Sequence, residues 1–352
     1  MNQDLKELQT AAGATFMAIA HHEVPASFGN DDAAVEAARS GVALCDRSHW
    51  GLIEVSDADR LRFLHNQSTN DFMTLMPGQG CNTVFVTSTA RTLDLVSAYA
   101  LDDAVWLLTH PTRCQTLLEW MDRYIFFSDK VQLKNLTDTT VTLSLIGPKS
   151  DDLLNTLGAT SIVGQPDASH DVFQIDDVEV RIAVGSGLAT PGYTLITDAN
   201  RGAALWRSLT EAGAVPMGET VWERLRTEQG RPVPERELTE DYNPLEAGLW
   251  TAISFNKGCY IGQETIARLD TYKGVKQQLW GIKLDHGVEP GTVITVGDDK
   301  VGVLTSMTPT DDGVFGLAYI RTKAGGAGLE VQVGDHKGTV VDIPFVTRDR
   351  HR

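Results

Sequence analysis

The chain has 352 residues, 42% of them hydrophobic and 22% charged, so it carries enough apolar material for a sizeable core. That composition excludes collagen-like, coiled-coil and disordered descriptions of the whole chain. Thirty basic residues against 47 acidic ones leave a net charge of −17, which repels phosphate backbones and anionic lipids; no direct nucleic-acid partner and no membrane partner is expected. In chain order, Asp4–Thr10 and Asp31–Ser40 read as short helices, the second with Asp31 or Asp32 as its N-cap and Gly41 as its stop. Val42–Leu44 and Gly51–Val55 read as strands, and Asp57–Asn66 as a helix with Leu61 and Leu64 on one face. After the Pro77-Gly78 turn come strands at Asn82–Thr87, Leu93–Leu101 and Val105–Thr109. Arg113–Tyr124 is an amphipathic helix that turns Leu117, Leu118 and Met121 inward. Strands follow at Val131–Lys134 and Thr140–Ile146, then a helix from Gly147-Pro148 to Leu157. Further strands are predicted at Val178–Val184 and Tyr193–Ile196, and helices at Ala203–Ala212 and Glu219–Glu228. The last helix runs into Gly230 and Pro232, the order of a C-cap glycine and a proline stop. Strands and helices mixed without a steady β-α-β rhythm predict an α+β fold.

Beyond about Lys276 helix signals cease. Short β-type runs at Leu279–Leu284, Val293–Val296, Val301–Ser306, Val314–Ile320, Leu329–Val333 and Thr339–Ile343 alternate with Gly and Asp turns, the pattern of a small antiparallel barrel or sandwich. The expected division is therefore residues 1–275 and residues 276–352. Val296-Gly297-Asp298-Asp299-Lys300 and Val333-Gly334-Asp335-His336-Lys337 echo each other and read as hairpin tips rather than as a metal site or a solenoid period.

The densest chemistry lies in Asn256-Lys257-Gly258-Cys259-Tyr260-Ile261-Gly262-Gln263-Glu264, between a strand-like run, Ala252–Phe255, and a helix-like run, Thr265–Leu269. Gly258 and Gly262 allow backbone geometries closed to other residues and let a ligand approach the main chain. Lys257 and a helix N-terminus beside Cys259 would both favour the reactive thiolate; the bland alternative is a structural cysteine in a tight turn. Residues 257–276 hold Lys257, Arg268, Lys273 and Lys276 against Glu264 and Asp270, a basic island that suits either a defined anionic ligand or a solvated helix face. No G-x-G-x-x-G or G-x-x-x-x-G-K-[ST] run is present, and His21-His22 is the one close histidine pair, so neither a nucleotide fold nor a metal site is expected.

The four cysteines, at 45, 81, 114 and 259, are too scattered for a C-x-x-C pair and suit free thiols in a reducing compartment. Met1–Gln9 has no apolar leader, and no run reaches the roughly 18 apolar residues of a membrane helix. A cytoplasmic monomer is the expectation.

Lys257–Glu264 resembles the K-G-C-Y-x-G-Q-E signature of YgfZ-type proteins, folate-binding relatives of the glycine-cleavage T-protein (aminomethyltransferase) that include iron–sulfur assembly factors. Four further stretches are similar to that family. Phe63–Asp71 matches F-L-x-x-Q-x-T-x-D, Leu225–Gly230 matches L-R-x-E-x-G, Asn243–Leu249 is close to T-P-x-E-A-G-L, and Pro344-Phe345-Val346 is family-like. The resemblance runs from about Gly41 to the end. It implies a folate-binding α+β unit of two interwoven lobes with a C-terminal β-barrel, and tetrahydrofolate or a one-carbon derivative as cofactor. It also implies iron–sulfur client or assembly proteins as partners, including radical tRNA-modifying enzymes. Arg226 and Glu228 then fall where the family places a polar helix end beside folate, Arg226 holding a glutamate-tail carboxylate. Gly258 and Gln263 would border the ligand, and Cys259 with Lys257 would carry any chemistry.

The T-protein's G-G-x-x-D-D-x segment corresponds to Ala90–Leu95, which keeps one carboxylate, Asp94. Its Y-T-G-E-x-G-x-E stretch corresponds to Leu188–Thr194, where both glutamate positions have become threonine. These departures favour the YgfZ branch. Two alternatives stand beside it: a tetrahydrofolate-dependent aminomethyl- or methyltransferase using Asp94, and a non-catalytic docking adaptor.

Overall fold

The computed structural model describes residues 3–350. The architecture is α+β, with a closed six-stranded antiparallel barrel near the C-terminus. No helix among the described residues is long and apolar enough to cross a membrane. The chain divides into two compact units: Met1–Leu64, Phe72–Asn82 and Val96–Trp222 in the first, and His65–Asp71, Thr83–Leu95 and Glu223–Arg352 in the second.

The first unit is organised on a six-stranded sheet. Its order is His170–Ile175, Val178–Val184, Gly192–Asp198, Thr140–Ile146, Ala43–Asp46 and Val215–Met217. Neighbours are antiparallel until the last pair, Ala43–Asp46 with Val215–Met217, which is parallel. The central strand Thr140–Ile146 is buried at every residue but its first, so both of its faces are covered. Val141, Leu143 and Leu145 point into a core shared with Leu153, Leu154, Leu205 and Trp206 from two helices. Fully burying an aliphatic side chain of this kind contributes about 1.5–3 kcal/mol. A further sheet runs in the order Gly80–Val86, Thr92–Ala100, Ala104–Thr109, Gly51–Ser56, Gln132–Asn135.

Four strands lie where no strand was expected: Thr15–Ile19 with His22–Ser27 in a two-stranded sheet, and His170–Ile175 and Val215–Met217 at opposite edges of the six-stranded one. Pro25 and Pro216 sit inside two of these, which edge strands tolerate because one side of the ladder is unpaired. In the other direction, Ala252–Phe255 is not a strand. Trp250–Ala252 forms a 3-10 turn, and the segment is fixed instead by Thr69, whose hydroxyl donates to Ala252 O at 2.7 Å and whose carbonyl accepts from Ser254 N at 3.0 Å.

In the second unit the barrel strands run Gln277–Leu284, Gly313–Arg321, Asp299–Thr310, Val293–Val296, Glu330–Val333, His336–Val341, and the last pairs with the first to close the circle. Strand alternation sorts the side chains. Trp280, Ile282, Ala318 and Ile320 fill the interior with Ile294, Leu304, Val331 and Val340. Leu279, Leu317 and Tyr319 point outward into a second cluster with Val84, Leu95, Leu238, Ala247 and Ile343.

Candidate functional site

The second unit holds Leu225–Gly230, Asn243–Leu249, Lys257–Glu264, Pro344–Val346 and the His65–Asp71 part of the Phe63–Asp71 stretch, although these are scattered over the sequence. Main-chain hydrogen bonds sew them together. Ile261 N donates to Asn66 O at 3.1 Å, Thr92 N to Tyr242 O at 3.2 Å, Phe345 N to Gln229 O at 2.9 Å and Thr347 N to Gly248 O at 2.9 Å. Asn243-Pro244-Leu245-Glu246 forms a capping box. The Asn243 side-chain oxygen accepts from Leu245 N and Glu246 N at 3.0 Å, while Glu246 Oε2 accepts from Asn243 N at 3.1 Å.

Residues 256–262 form an irregular loop that enters the helix Gln263–Thr271. Gly262 caps that helix with φ +82°, and a Cβ there would lie 2.8 Å from Thr87 O and 2.9 Å from Val86 Cγ2. Glycine is thus required both for its backbone conformation and for the close approach of a neighbouring turn. Lys257 is buried, and its ammonium donates to three carbonyls: His65 O, Ser68 O at 2.7 Å and Asn70 O at 2.7 Å. Three donors meet three acceptors, with the charge 4.7 Å from the Tyr260 ring centroid. Lys257 is therefore the peg that holds the segment His65–Asn70 to the signature loop.

Beside the peg, His65 Nδ1 lies 3.1 Å from Asp71 Oδ1. Burial and then the Lys257 charge push the His65 pKa down, against the pull of Asp71, so the imidazole is neutral at pH 7. A Cβ on Gly258 would sit 3.4 Å from His65 Nε2, so the loop passes close to the ring. Gln263 Nε2 reaches back to Gly258 O at 3.4 Å. Cys259 is exposed, whereas Cys45 and Cys114 are buried and Cys81 is half-buried; all four are free thiols. The arrangement can present a thiol to solvent from a loop whose backbone is pinned. The His65–Asp71 pair, which adjoins that loop, was not singled out in the sequence, where the two residues lie six apart inside a motif.

Arg226 and Glu228 are placed differently from their sequence-based roles. Arg226 is fully buried on the helix Glu219–Gln229. Its Nε donates to Glu223 at 2.8 Å, Nη1 to Glu237 at 3.0 Å, and Nη2 to Glu223 and, at 2.9 Å, to Ser306 Oγ. Burial alone would lower its pKa, but the Glu237 and Glu223 carboxylates outweigh burial and raise it. Glu237, also fully buried, accepts from Thr305 Oγ1 at 2.7 Å and Ser306 Oγ at 2.6 Å, and its carbonyl accepts from Tyr319 OH at 2.8 Å. Glu228 is paired with Arg224 Nε at 2.9 Å. The Arg226 guanidinium thus makes its hydrogen bonds inside the protein, whereas the partly exposed Glu228 carboxylate is paired with Arg224. Asp94 is buried at 1% exposure on the strand Thr92–Ala100, where it has partners of its own. Of the basic island, Lys257 is buried while Arg268, Lys273 and Lys276 are exposed, so the four cations do not share one environment.

Comparison with known proteins agrees with this frame. The GCVT N-terminal domain family matches residues 5–257. A chloroplastic protein of Arabidopsis thaliana, provisionally named a transferase, is 47% identical over 325 residues, covering 92% of this chain and 75% of that protein. The aminomethyltransferase of Halalkalibacterium halodurans is 30% identical over 92% of both chains, and that of Symbiobacterium thermophilum 29% identical over the whole of both. The crystal structure of the glycine cleavage system aminomethyltransferase T from Bartonella henselae superposes with a TM-score of 0.85 over 99% of each chain at 22% identity, which is a likeness of fold. The chain belongs to the GCVT family and has its aminomethyltransferase-like fold.

Proposed function

We propose that this protein is a folate-binding accessory protein whose working group is the Cys259 thiol, supporting assembly or repair of iron–sulfur clusters in client enzymes, radical tRNA-modifying enzymes among them. The observation that carries this reading is the contrast within the signature. Lys257 is consumed as a buried peg, while Cys259 stands exposed on the loop it fixes. A thiol held in this way can attack, accept or pass on a group without the loop having to order itself first. Tetrahydrofolate enters as the ligand the family resemblance implies. No step of the cluster role runs through it. The test is complementation of a deletion strain with Cys259→Ala, read as activity of a cluster-dependent enzyme. Loss of activity at unchanged melting temperature supports the reading, and full restoration overturns it. Titration with tetrahydrofolate checks the ligand separately.

A second reading is favoured by end-to-end similarity to two aminomethyltransferases, together with the buried carboxylate Asp94. On that reading the protein is a tetrahydrofolate-dependent transferase. Formation of 5,10-methylene-tetrahydrofolate from an aminomethyl donor, abolished by Asp94→Asn in a variant that still folds, would select it. Absence of turnover in the wild type would remove it.

A further inference from the structure

The first and last barrel strands close the circle as an antiparallel pair, with Leu284 opposite Gly338. Continued two residues further, that register sets His286 opposite His336, the first residue of the last strand. Directly opposed residues on one face of a strand pair have their Cβ atoms about 4.5–5.5 Å apart. Here the two imidazole rings face each other with centroids 5.1 Å apart and planes tilted by 31°. Asp285 supplies the third group. Its Oδ1 lies 3.5 Å from His286 Nδ1 and 3.5 Å from His336 Nδ1, and one ligand atom from each of the three residues falls within 4.8 Å of the others.

We propose that Asp285, His286 and His336 form a divalent transition-metal site, suited to zinc, that clasps the closing seam of the barrel. The spacing is the argument. Zinc takes imidazole nitrogen and carboxylate oxygen at about 2.0–2.2 Å, so two ligand atoms of a tetrahedral centre stand about 3.4 Å apart. Both Nδ1–Oδ1 separations match that edge. The donor set, two imidazoles and one carboxylate, is the borderline type that selects zinc, cobalt or nickel over calcium or magnesium. The side chains of His286, Asp285 and His336 are 71%, 51% and 35% exposed, so a cation can enter without opening the fold and water can take the fourth position. A chain of net charge −17 further favours a cation at its surface. The site draws on none of the residues assigned to the proposed function, and it adds a metal role to a segment that the sequence presents as a hairpin tip.

The experiment titrates the purified, metal-stripped full chain with zinc chloride by calorimetry, beside His336→Ala and His286→Gln. Both change partly exposed residues, so the melting curves of the variants without metal should coincide with that of the wild type. The wild type should bind one equivalent more than either variant, or bind it at least about tenfold more tightly, and zinc should raise the melting temperature of the wild type alone. Cobalt(II) should give the intense visible absorption of a four-coordinate centre in the wild type and lose it in both variants. Identical stoichiometry and affinity in wild type and variants, or no binding in any, overturns the proposal.

Discussion

Two arginines are withdrawn from solvent in separate parts of the chain, Arg47 at 1% exposure and Arg226 at 0%, and they are held in different ways. Arg226 faces two carboxylates, Glu223 and Glu237, and its pKa is raised despite burial. Arg47 donates to the Ser144 hydroxyl at 3.3 Å and the Ser186 carbonyl at 3.0 Å, with its planar head 3.7 Å over the Trp50 ring. Burial lowers its pKa, with Cys45, Tyr99 and Glu219 opposing. Arg226 belongs to a charged hub that joins a helix to the barrel strand Asp299–Thr310 through Ser306. Arg47 is a cation held by neutral hydrogen-bond partners and an aromatic face, an environment suited to a flat, weakly hydrated guanidinium. Charge pairing makes a junction that fails when either side is removed. Neutral housing fails more gently.

The largest expected effect follows from the hub. Glu237→Ala leaves Arg226 with Glu223 as its one carboxylate and takes away the acceptor of the Ser306 hydroxyl, while Thr305 keeps its bond to Leu317 O, so a loss of about 3–5 kcal/mol is expected in urea unfolding. In a double-mutant cycle, Arg226→Met with Glu237→Leu should cost clearly less than the sum of the single changes, because neither charge is then left alone. Additive losses would show that the two groups do not act as a unit.

Next comes pH. His49, buried beside Arg47, has its pKa pushed from 6.5 down to about 3, first by burial and then by the charges of Arg47, His22 and His110. Neither ring nitrogen has a hydrogen-bond partner among the described residues, and Glu219 Oε2 lies 3.8 Å from Nε2. As pH falls below about 6.5 the unfolded chain takes up this proton while the folded chain does not, so stability drops through the window from pH 6.5 towards 3. Between pH 7 and 5 the loss is about 2 kcal/mol from this group, and His170, lowered to about 4, acts in the same direction. His49→Gln should flatten that slope; an unchanged pH profile would place the acid sensitivity elsewhere. Smaller again, Arg47→Met should cost about 1–2 kcal/mol, since it leaves a hydroxyl and a carbonyl short of a partner but strands no carboxylate. A loss exceeding that of Glu237→Ala would reverse the comparison.

The extent to which these features are visible in sequence follows the same division between pairing and housing. Periodicity located Asp31–Ser40, Thr140–Ile146 and Val293–Val296 to the residue, and alternation with glycine turns identified the barrel. Edge strands escaped, because Pro25 and Pro216 are stop signals locally and are tolerated only where a neighbouring strand is lacking. The motif residues that cluster in the second unit were recognisable as types, but their partners were not. Arg226 looks like a ligand-facing cation until Glu237, eleven residues on, is folded against it. Lys257 looks like an activator of Cys259, yet its acceptors are main-chain carbonyls, which have no residue identity to read.

The last expectation is the smallest in stability and separates the two halves of the signature. Cys259 is exposed, so Cys259→Ala should change unfolding free energy by no more than about 0.5 kcal/mol. Lys257→Met, by contrast, removes a buried ammonium from three carbonyls and leaves them to face a thioether. It should cost several times more, since hydrogen bonds to a charged donor are worth about 1.5–3 kcal/mol each before the relief of desolvation is counted. If both variants abolish the cellular activity, the stability measurement tells them apart: the lysine acts through the shape of the loop, the cysteine through its thiol. A thermal or urea melt in which Cys259→Ala falls as far as Lys257→Met would mean that the thiol, too, is part of the packing, and the exposed half of the signature would lose its claim to chemistry.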